Sequence, residues 1–420
     1  MRVELYHSTR IGYIALPMNE PHEMLHRTTR VDLTGMHNPE PAPGATDPSI
    51  SESVSHTQDP ERGRVGMGKR QLEERYHALI RDGSIYYPVA YRLLKELGRG
   101  RQGIVFLGLR HGARGCVTRH AIKVFDPSIY SSAKRYWTDM GRIAVQISRL
   151  QSVHTPHLVG RDAYEEANGI GYSQMEAIDG LDLHRMLGSW HLAITRDRST
   201  EHEWNRYTDV IFRIADGRVS IQPGLVIHIM RQIVRGLEVL HAQGFVHCDI
   251  KPSNVMVDQL GNAKIIDYGR AVQVEEKVSM LLGTPYYMAP EIHRREVTRV
   301  QSDLYSVGIL GLEMLMGERL VESDDETRLL AYKTELPHRL PDLLPRHVQE
   351  SGTLVRMLEG FIDPDPQKRH SSAREADAGS TGLANLHREF VRMDVDADYG
   401  RELESYLNKL VNPDTKRIER

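Results

Sequence analysis

Val246-His247-Cys248-Asp249-Ile250-Lys251-Pro252-Ser253-Asn254, followed across a short apolar segment by Ile265-Ile266-Asp267-Tyr268-Gly269, is the stretch on which the reading of this chain turns. It sets two carboxylates, a lysine and an amide on two loops a hairpin apart. Phosphoryl transfer from a nucleotide to a hydroxyl asks for this inventory. One acid orients the attacking hydroxyl, while a second acid and an amide hold magnesium against the phosphates. Either half alone arises by chance; both together, in this order and at this spacing, are a specific signal.

The two segments resemble the catalytic loop His-Arg-Asp-x-Lys-Pro-x-Asn and the Asp-Phe-Gly motif of the protein kinase superfamily, Ser/Thr type. The resemblance implies a bilobal α+β fold, with a small β-rich N-lobe and a larger helical C-lobe. It also implies ATP and Mg2+ as cofactors and a protein Ser/Thr hydroxyl as acceptor of the γ-phosphate. Residue by residue, it makes Asp249 the group that orients the hydroxyl proton and Lys251 the charge beside the transferred phosphoryl group. Asn254 and Asp267 become the magnesium ligands, and Met256 the floor of the adenine pocket. His247 reads as a packed support of the loop, and Tyr268 keeps the aromatic character of the usual Phe. Cys248 departs from the family, standing where many members carry an arginine that binds a phosphate on the activation loop. Phosphorylation is then less needed as a switch. With no cationic partner evident, Cys248 reads as a small buried thiol.

Upstream, Tyr91-Arg-Leu-Leu-Lys-Glu-Leu97 leads into Gly98-Arg99-Gly100-Arg101-Gln102-Gly103-Ile104-Val105. A lone Gly-x-Gly-x-x-Gly is weak evidence, because dinucleotide-binding folds carry it between a strand and a helix. Here Ile104 to Leu109 is strand-like, so a strand–loop–strand hairpin folded over phosphates fits better. His120-Ala121-Ile122-Lys123-Val124 then reads as a buried strand carrying one lysine. By resemblance Gly98, Gly100, Gly103 and Val105 cover the nucleotide, Ala121 lies above the adenine, and Lys123 meets the phosphates. In Tyr172 to Asp182 the same likeness places Met175 as gatekeeper, the backbone of Glu176 and Ile178 at the adenine edge, and Asp182 at the ribose.

A helix between these strands should supply a glutamate to pair with Lys123. Ile143, Ile147 and Leu150 mark its apolar face, and Pro156-His157-Leu158-Val159 resembles the strand entry that comes next. Counting back from that entry puts Gln146 at the glutamate position. No glutamate occurs between Pro127 and Gly160. The one acid there, Asp139, lies two turns earlier, about 10 Å along the helix. A glutamine can accept a hydrogen bond from Lys123 but carries no charge.

Gly188 to Gly224 reads as an insertion, with a hairpin over Val210–Ile221 turning at Asp216-Gly217. A passive surface excursion is favoured over a docking surface. Leu225 to His241 is helical, with Ile229, Ile233, Leu237 and Leu240 on one face. Gly283-Thr284-Pro285-Tyr286-Tyr287-Met288-Ala289-Pro290-Glu291 resembles the substrate-binding ending of Ser/Thr kinases. That likeness puts Thr284 near Asp249 and Lys251 and leaves Ser279 as the one other Ser/Thr of the segment that phosphorylation could use. Asp303 is expected to tie down the catalytic loop, and Arg369 to pair with Glu291.

The expected organisation is an N-terminal segment of unassigned fold (1–35) and a linker of disordered composition (36–70), containing Asn38-Pro39-Glu40-Pro41-Ala42-Pro43-Gly44. Next comes a helix over 71–90, docked or solvated, with Leu72, Tyr76 and Ile80 on one face. The kinase-like domain spans 91–375, with the insertion at about 188–224, and a helical extension covers 376–420. The chain has 420 residues and a net charge of −3 with mixed signs, so nothing points to nucleic acid as a partner. Two cysteines argue against a disulfide scaffold. No apolar run reaches the roughly 18–20 residues of a membrane span. A soluble cytoplasmic protein is expected; the sequence leaves its oligomeric state open. Two other readings stand beside the active kinase. The first is a pseudokinase that binds ATP or acts as a scaffold, motivated by Gln146. The second is transfer of AMP, for which no arrangement is readable.

Overall fold

The computed structural model describes residues 67–420 except 216, 270, 277–283, 322, 324, 394–397, 413–416 and 419–420. The segment 1–35, nearly all of the 36–70 linker and Ser279 therefore lie outside the described residues. Helix α1 (Lys69–Asp82) ends on Gly83 in the left-handed conformation. It buries Leu72, Tyr76 and Leu79, and Ile80 is partly buried against the same core. These side chains share a core with Ile104, Ile122, Val124 and Phe125 of the adjoining sheet. The helix is therefore docked.

The sheet is antiparallel, in the order β1 (Ser84–Ile85), β2 (Tyr91–Gly100), β3 (Gly103–His111), β4 (Val117–Phe125), β6 (Ile170–Glu176), β5 (Arg161–Ala167). Glycine is required where β2 turns into β3. Gly103 has φ +145, and a Cβ there would sit 2.0 Å from the Val124 carbonyl oxygen. Helix α2 (Ala133–Leu150) is started by Ser132, whose side chain accepts from the Arg135 amide. Its buried stripe runs Tyr136, Met140, Ile143, Ile147, Leu150, and Gln146 lies in that stripe. This is the β-rich N-lobe.

The C-lobe begins with β7 (Gly180–Asp182) and α3 (Leu183–Met186). The insertion contains α4 (Trp190–Asp197), α5 (Glu201–Val210) and the hairpin β8 (Phe212–Ala215) with β9 (Arg218–Ile221). It does not run passively over the surface, because Tyr207, Val210, Ile211 and Phe212 are all buried. Helix α6 (Pro223–Ala242) buries the expected Ile229, Ile233, Leu237 and Leu240. Short strands β10 (Phe245–Val246), β11 (Val255–Asp258), β12 (Ala263–Ile265) and β13 (Val272–Gln273) carry the two quoted loops. After α7 (Pro290–His293), helix α8 (Val300–Met316) is buried from Ser302 to Leu315, an apolar cylinder at the centre of the lobe. Helices α9 (Glu326–Leu343), α10 (Arg346–Gln349), α11 (Gly352–Ile362) and α12 (Ala373–Ala378) pack around it.

The C-terminal extension folds as α13 (Leu383–Met393) and α14 (Tyr399–Lys409). Tyr406 of α14 packs edge-on against Tyr207 and tilted against Phe212, with ring centroids 5.1 and 5.0 Å apart. Arg206–Glu402 and Lys409–Glu203 ion pairs, each 2.8 Å, rim this contact. Insertion and extension, which read in the sequence as two separate additions, thus share one core. No helix among the described residues is long and apolar enough to cross a membrane.

Candidate active site

The β11–β12 hairpin pairs Val255 with Ile265 and Met256 with Lys264, and so holds the loops of Asp249 and Asp267 side by side. Asp303, at the start of α8, fixes the first loop. Its carboxylate accepts from the His247 amide at 2.7 Å, the Cys248 amide at 2.9 Å and the His241 ring at 2.8 Å. These bonds hold Cys248 in the left-handed region, φ +64, where a β-substituted residue needs such restraint. Burial holds His247 below its usual pKa against the pull of Asp303 and Asp249. Its Nδ1 accepts from the Asp249 amide at 3.1 Å, so the ring orients the loop. Desolvation, with Asp303 and Asp249, pushes the Cys248 thiol well up, which leaves little thiolate for redox chemistry.

Around Asp249 the polar groups close on one another. Asn254 Nδ2 donates to the Asp249 carbonyl at 2.8 Å and to its Oδ2 at 3.1 Å. Lys251 Nζ lies 3.2 Å from Oδ2 and donates to Thr284 Oγ1 at 3.0 Å. Thr284 in turn donates to Asp249 Oδ1 at 3.2 Å. Three side chains therefore hold the carboxylate, two from its own loop and one, Thr284, from farther along the chain. Farther out, Arg369 forks onto Glu291 through two bonds of 2.8 Å, as the sequence anticipates.

At the other end, Lys123 Nζ meets the Asp267 carboxylate at 2.8 and 3.0 Å and Gln102 Oε1 at 3.0 Å. Desolvation would raise the Asp267 pKa, but Lys123 and Arg161 outweigh it and hold the group well below the usual carboxylate range. Gln146 does not accept from Lys123. Its Nε2 donates to the Tyr268 carbonyl at 2.8 Å, and its Oε1 is buried with no hydrogen bond among the described residues. A charged carboxylate outcompetes a neutral amide oxygen for an ammonium, so Lys123 goes to Asp267. Asp139 is engaged elsewhere, accepting from Tyr130 at 2.5 Å and from Arg142 at 2.9 Å. Arg142 also donates to the carbonyls of Ala271 and Gly269, which ties α2 to the second loop.

Between these ends lies a cleft of about 490 Å³, within the range of small-molecule sites. It is lined by the expected Gly98, Gly100, Gly103, Val105, Ala121, Lys123, Glu176, Ile178, Asp182, Asp249, Lys251, Asn254, Met256 and Asp267. Ala121 and Met175 face each other across β4 and β6, and Met256 is paired with Asp182. Asp182 caps α3 by accepting from the Arg185 amide at 2.9 Å. The sequence reading did not single out Gln102, which reaches from the glycine loop to Lys123, or Arg161. Arg161 is 4 % exposed, 3.5 Å from Asp267, with its guanidinium 3.8 Å above the Tyr268 ring. The available signal for it was a charged residue opening an otherwise apolar strand entry at Leu158-Val159-Gly160.

Two lobes, a glycine turn over a cleft and a carboxylate loop anchored on a central helix define a bilobal, kinase-like α+β protein. Comparison with known proteins agrees, since the protein kinase domain family matches residues 91–378. The chain is 28 % identical over 309 residues to a probable serine/threonine-protein kinase of Bifidobacterium longum, covering 72 % of this chain and 35 % of that one. It is 28 % identical over 336 residues to a putative ribosomal protein S6 kinase alpha-1 of Caenorhabditis elegans, covering 78 % and 36 %. A mitogen-activated protein kinase kinase kinase 17 of Arabidopsis thaliana is 38 % identical over 133 residues, covering 30 % and 36 %. The chain thus spans about a third of the length of these curated relatives. This chain belongs to the protein kinase family.

Proposed function

We propose that this chain is a serine/threonine protein kinase that transfers the γ-phosphate of ATP to a protein hydroxyl, with Mg2+ as cofactor. The observation that carries the reading is the closed set around Asp249: Lys251 at 3.2 Å, Thr284 Oγ1 at 3.2 Å and Asn254 Nδ2 at 3.1 Å. Asp249 is positioned to take or orient the proton of an incoming hydroxyl, where geometry counts as much as basicity. Lys251 stands beside it as the charge available to the transferred group. Backbone of Glu176 and Ile178, with Ala121 and Met256, accommodates the adenine, and Asp182 the ribose. Gly98, Gly100, Gly103 and Val105 cover the phosphates, and Lys123 provides their counter-charge.

The donor set fits magnesium, because Asp267 is held ionised and Asn254 spends its amide nitrogen on Asp249, leaving its oxygen as the ligand atom. When bound, the ion neutralises phosphate charge and aligns the γ-phosphoryl group. The cysteines Cys116 and Cys248 are both free, which suits a reducing compartment such as the cytoplasm. Incorporation of labelled phosphate from ATP·Mg into a generic protein substrate tests the reading, with Asp249→Ala as control. Equal incorporation by the two proteins would sink it. Nucleotide binding without any transfer would move the assignment to a pseudokinase.

A further inference from the structure

Helix α2 is fastened to the second loop by side chains that grip its backbone. Arg142 Nη1 donates to the Ala271 carbonyl at 2.9 Å and Nη2 to the Gly269 carbonyl at 3.2 Å. One turn on and on the same face, Gln146 Nε2 donates to the Tyr268 carbonyl at 2.8 Å. Three bonds therefore run from α2 to the stretch directly after Asp267. The guanidinium is aimed by its own helix. Arg142 Nε donates to Asp139 Oδ1 at 2.9 Å, and Tyr130 donates to Asp139 Oδ2 at 2.5 Å. A rigid, planar fork of donors suits two acceptors side by side. The far end of the stretch is tied down as well. The hydroxyl of buried Thr298 donates to the Glu276 carbonyl at 2.9 Å, and the Val274 amide donates to the Gly244 carbonyl at 3.0 Å.

These bonds matter because α2 carries no glutamate, and its one acid, Asp139, is spent on Tyr130 and Arg142. Resting on the reading of this chain as a kinase, we propose that Arg142 is a positioning residue for phosphoryl transfer. Its fork on the Gly269 and Ala271 carbonyls holds α2 against the loop of Asp267 and keeps that carboxylate in its working place. Carbonyl acceptors are present whether or not the loop is modified, so the lock is built into the fold and needs no phosphate to close it. Arg142 stands outside the residues that line the cleft. It acts through the loop of Asp267 and enters no chemical step. A displacement of about 1 Å at a reacting group can cost about 100-fold in rate. The Arg142 side chain is 35 % exposed, so its loss leaves no sealed cavity in the N-lobe.

Steady-state kinetics of the full chain with ATP·Mg and a generic protein substrate test the role, beside binding of a fluorescent ATP analogue and urea midpoints. Arg142→Met removes the fork and keeps an unbranched apolar stem. Its kcat is expected to fall about 10- to 100-fold. The KM for protein and the dissociation constant of the analogue are expected to stay within about threefold of the parent's. Arg142→Lys retains the charge and a donor, and should recover part of the lost kcat. If Arg142→Met does not fold, Arg142→Gln makes the same comparison. A parent-like kcat in the substituted protein overturns the proposal, since a merely structural bond would move the urea midpoint alone. An equal loss of kcat and nucleotide affinity also overturns it. Parent protein stripped by phosphatase, with intact mass showing no phosphate, should keep its initial rate, and a rate that needs the phosphate overturns the built-in lock. No transfer by the parent protein overturns the kinase reading itself, and this role with it.

Discussion

Lys333 of α9 reaches under the segment after Thr284 and donates to the carbonyl of Met288 at 2.7 Å. Its ammonium also meets the Pro285 carbonyl at 2.6 Å and His293 Nε2 at 2.9 Å, with the side chain 1 % exposed. Two of these acceptors belong to the stretch that leads from Thr284 to Glu291, and the third, His293, follows it on α7. Removing the donor leaves the buried Met288 carbonyl without this partner, at about 1–3 kcal/mol, while the Pro285 carbonyl keeps His293 Nε2 at 3.2 Å. Lys333→Met is therefore expected to raise KM for a protein substrate several-fold and to leave nucleotide affinity unchanged. Steady-state kinetics with each substrate varied in turn makes the comparison, and an unchanged protein KM would count against the role.

The same lysine carries a pH dependence. Burial lowers its pKa from 10.5 to about 7, against the pull of Glu291 and Glu326. Between those values the unfolded chain binds a proton that the folded chain does not, so stability rises with pH across this window. Below about 7 both states are protonated and the slope vanishes. The slope attributable to Lys333 is at most about 1.4 kcal/mol per pH unit. Urea midpoints at neutral and alkaline pH, for the parent and Lys333→Met, read it as the difference between two slopes.

Arg369 and Glu291 are both buried and joined by two bonds. Arg369→Met leaves the carboxylate enclosed and unpaired, with an expected loss of about 3–5 kcal/mol in chemical unfolding. The double change Arg369→Met with Glu291→Leu should recover part of that loss. A double variant as weak as the single one would show that the pair does more than balance charge.

Gln146→Glu replaces a donor to the Tyr268 carbonyl with an acceptor that faces it. The expected outcome is a loss of about 1–3 kcal/mol in stability, seen as a lower urea midpoint. The bond to Tyr268 gives the glutamine a task of its own. A midpoint equal to the parent's would mean that the new carboxylate turns to Lys123 instead.

Tyr406→Ala tests the shared core of insertion and extension. The ring packs with His191, Tyr207 and Phe212, and its hydroxyl meets His191 Nδ1 at 2.5 Å. Removing it is expected to cost about 3–5 kcal/mol, measurable by thermal or chemical unfolding. A change below about 1 kcal/mol would place the contact at the margin of the fold.

The parts of the molecule legible in the sequence are those set by spacing. Asp249, Asn254 and Asp267 are close in the chain, and the glycines before Val105 announce their own turn, so the cleft could be read. The positions that escaped are long-range. Arg161 looks like any charged residue at a strand entry until Tyr268 and Asp267 fold against it. Lys333 shares a helix face with Leu329, Leu336 and Leu340, all buried, and a lysine among them is the trace it left. The insertion misled because its aromatics look like surface residues when Tyr406, far along the chain, is not in view.

The meeting of Tyr406 with Tyr207 and Phe212 also sets an order of events during synthesis. A ribosome delivers the insertion long before α14, and domains close as their last contributing segment emerges. Until Tyr406 has left the exit tunnel, the apolar face of α5 and β8 has no wall, and the nascent C-lobe holds an open seam. Premature termination between Gly269 and Tyr399 would leave the whole catalytic loop translated yet an aromatic cluster bare. Quality-control proteases and chaperones would meet that seam first.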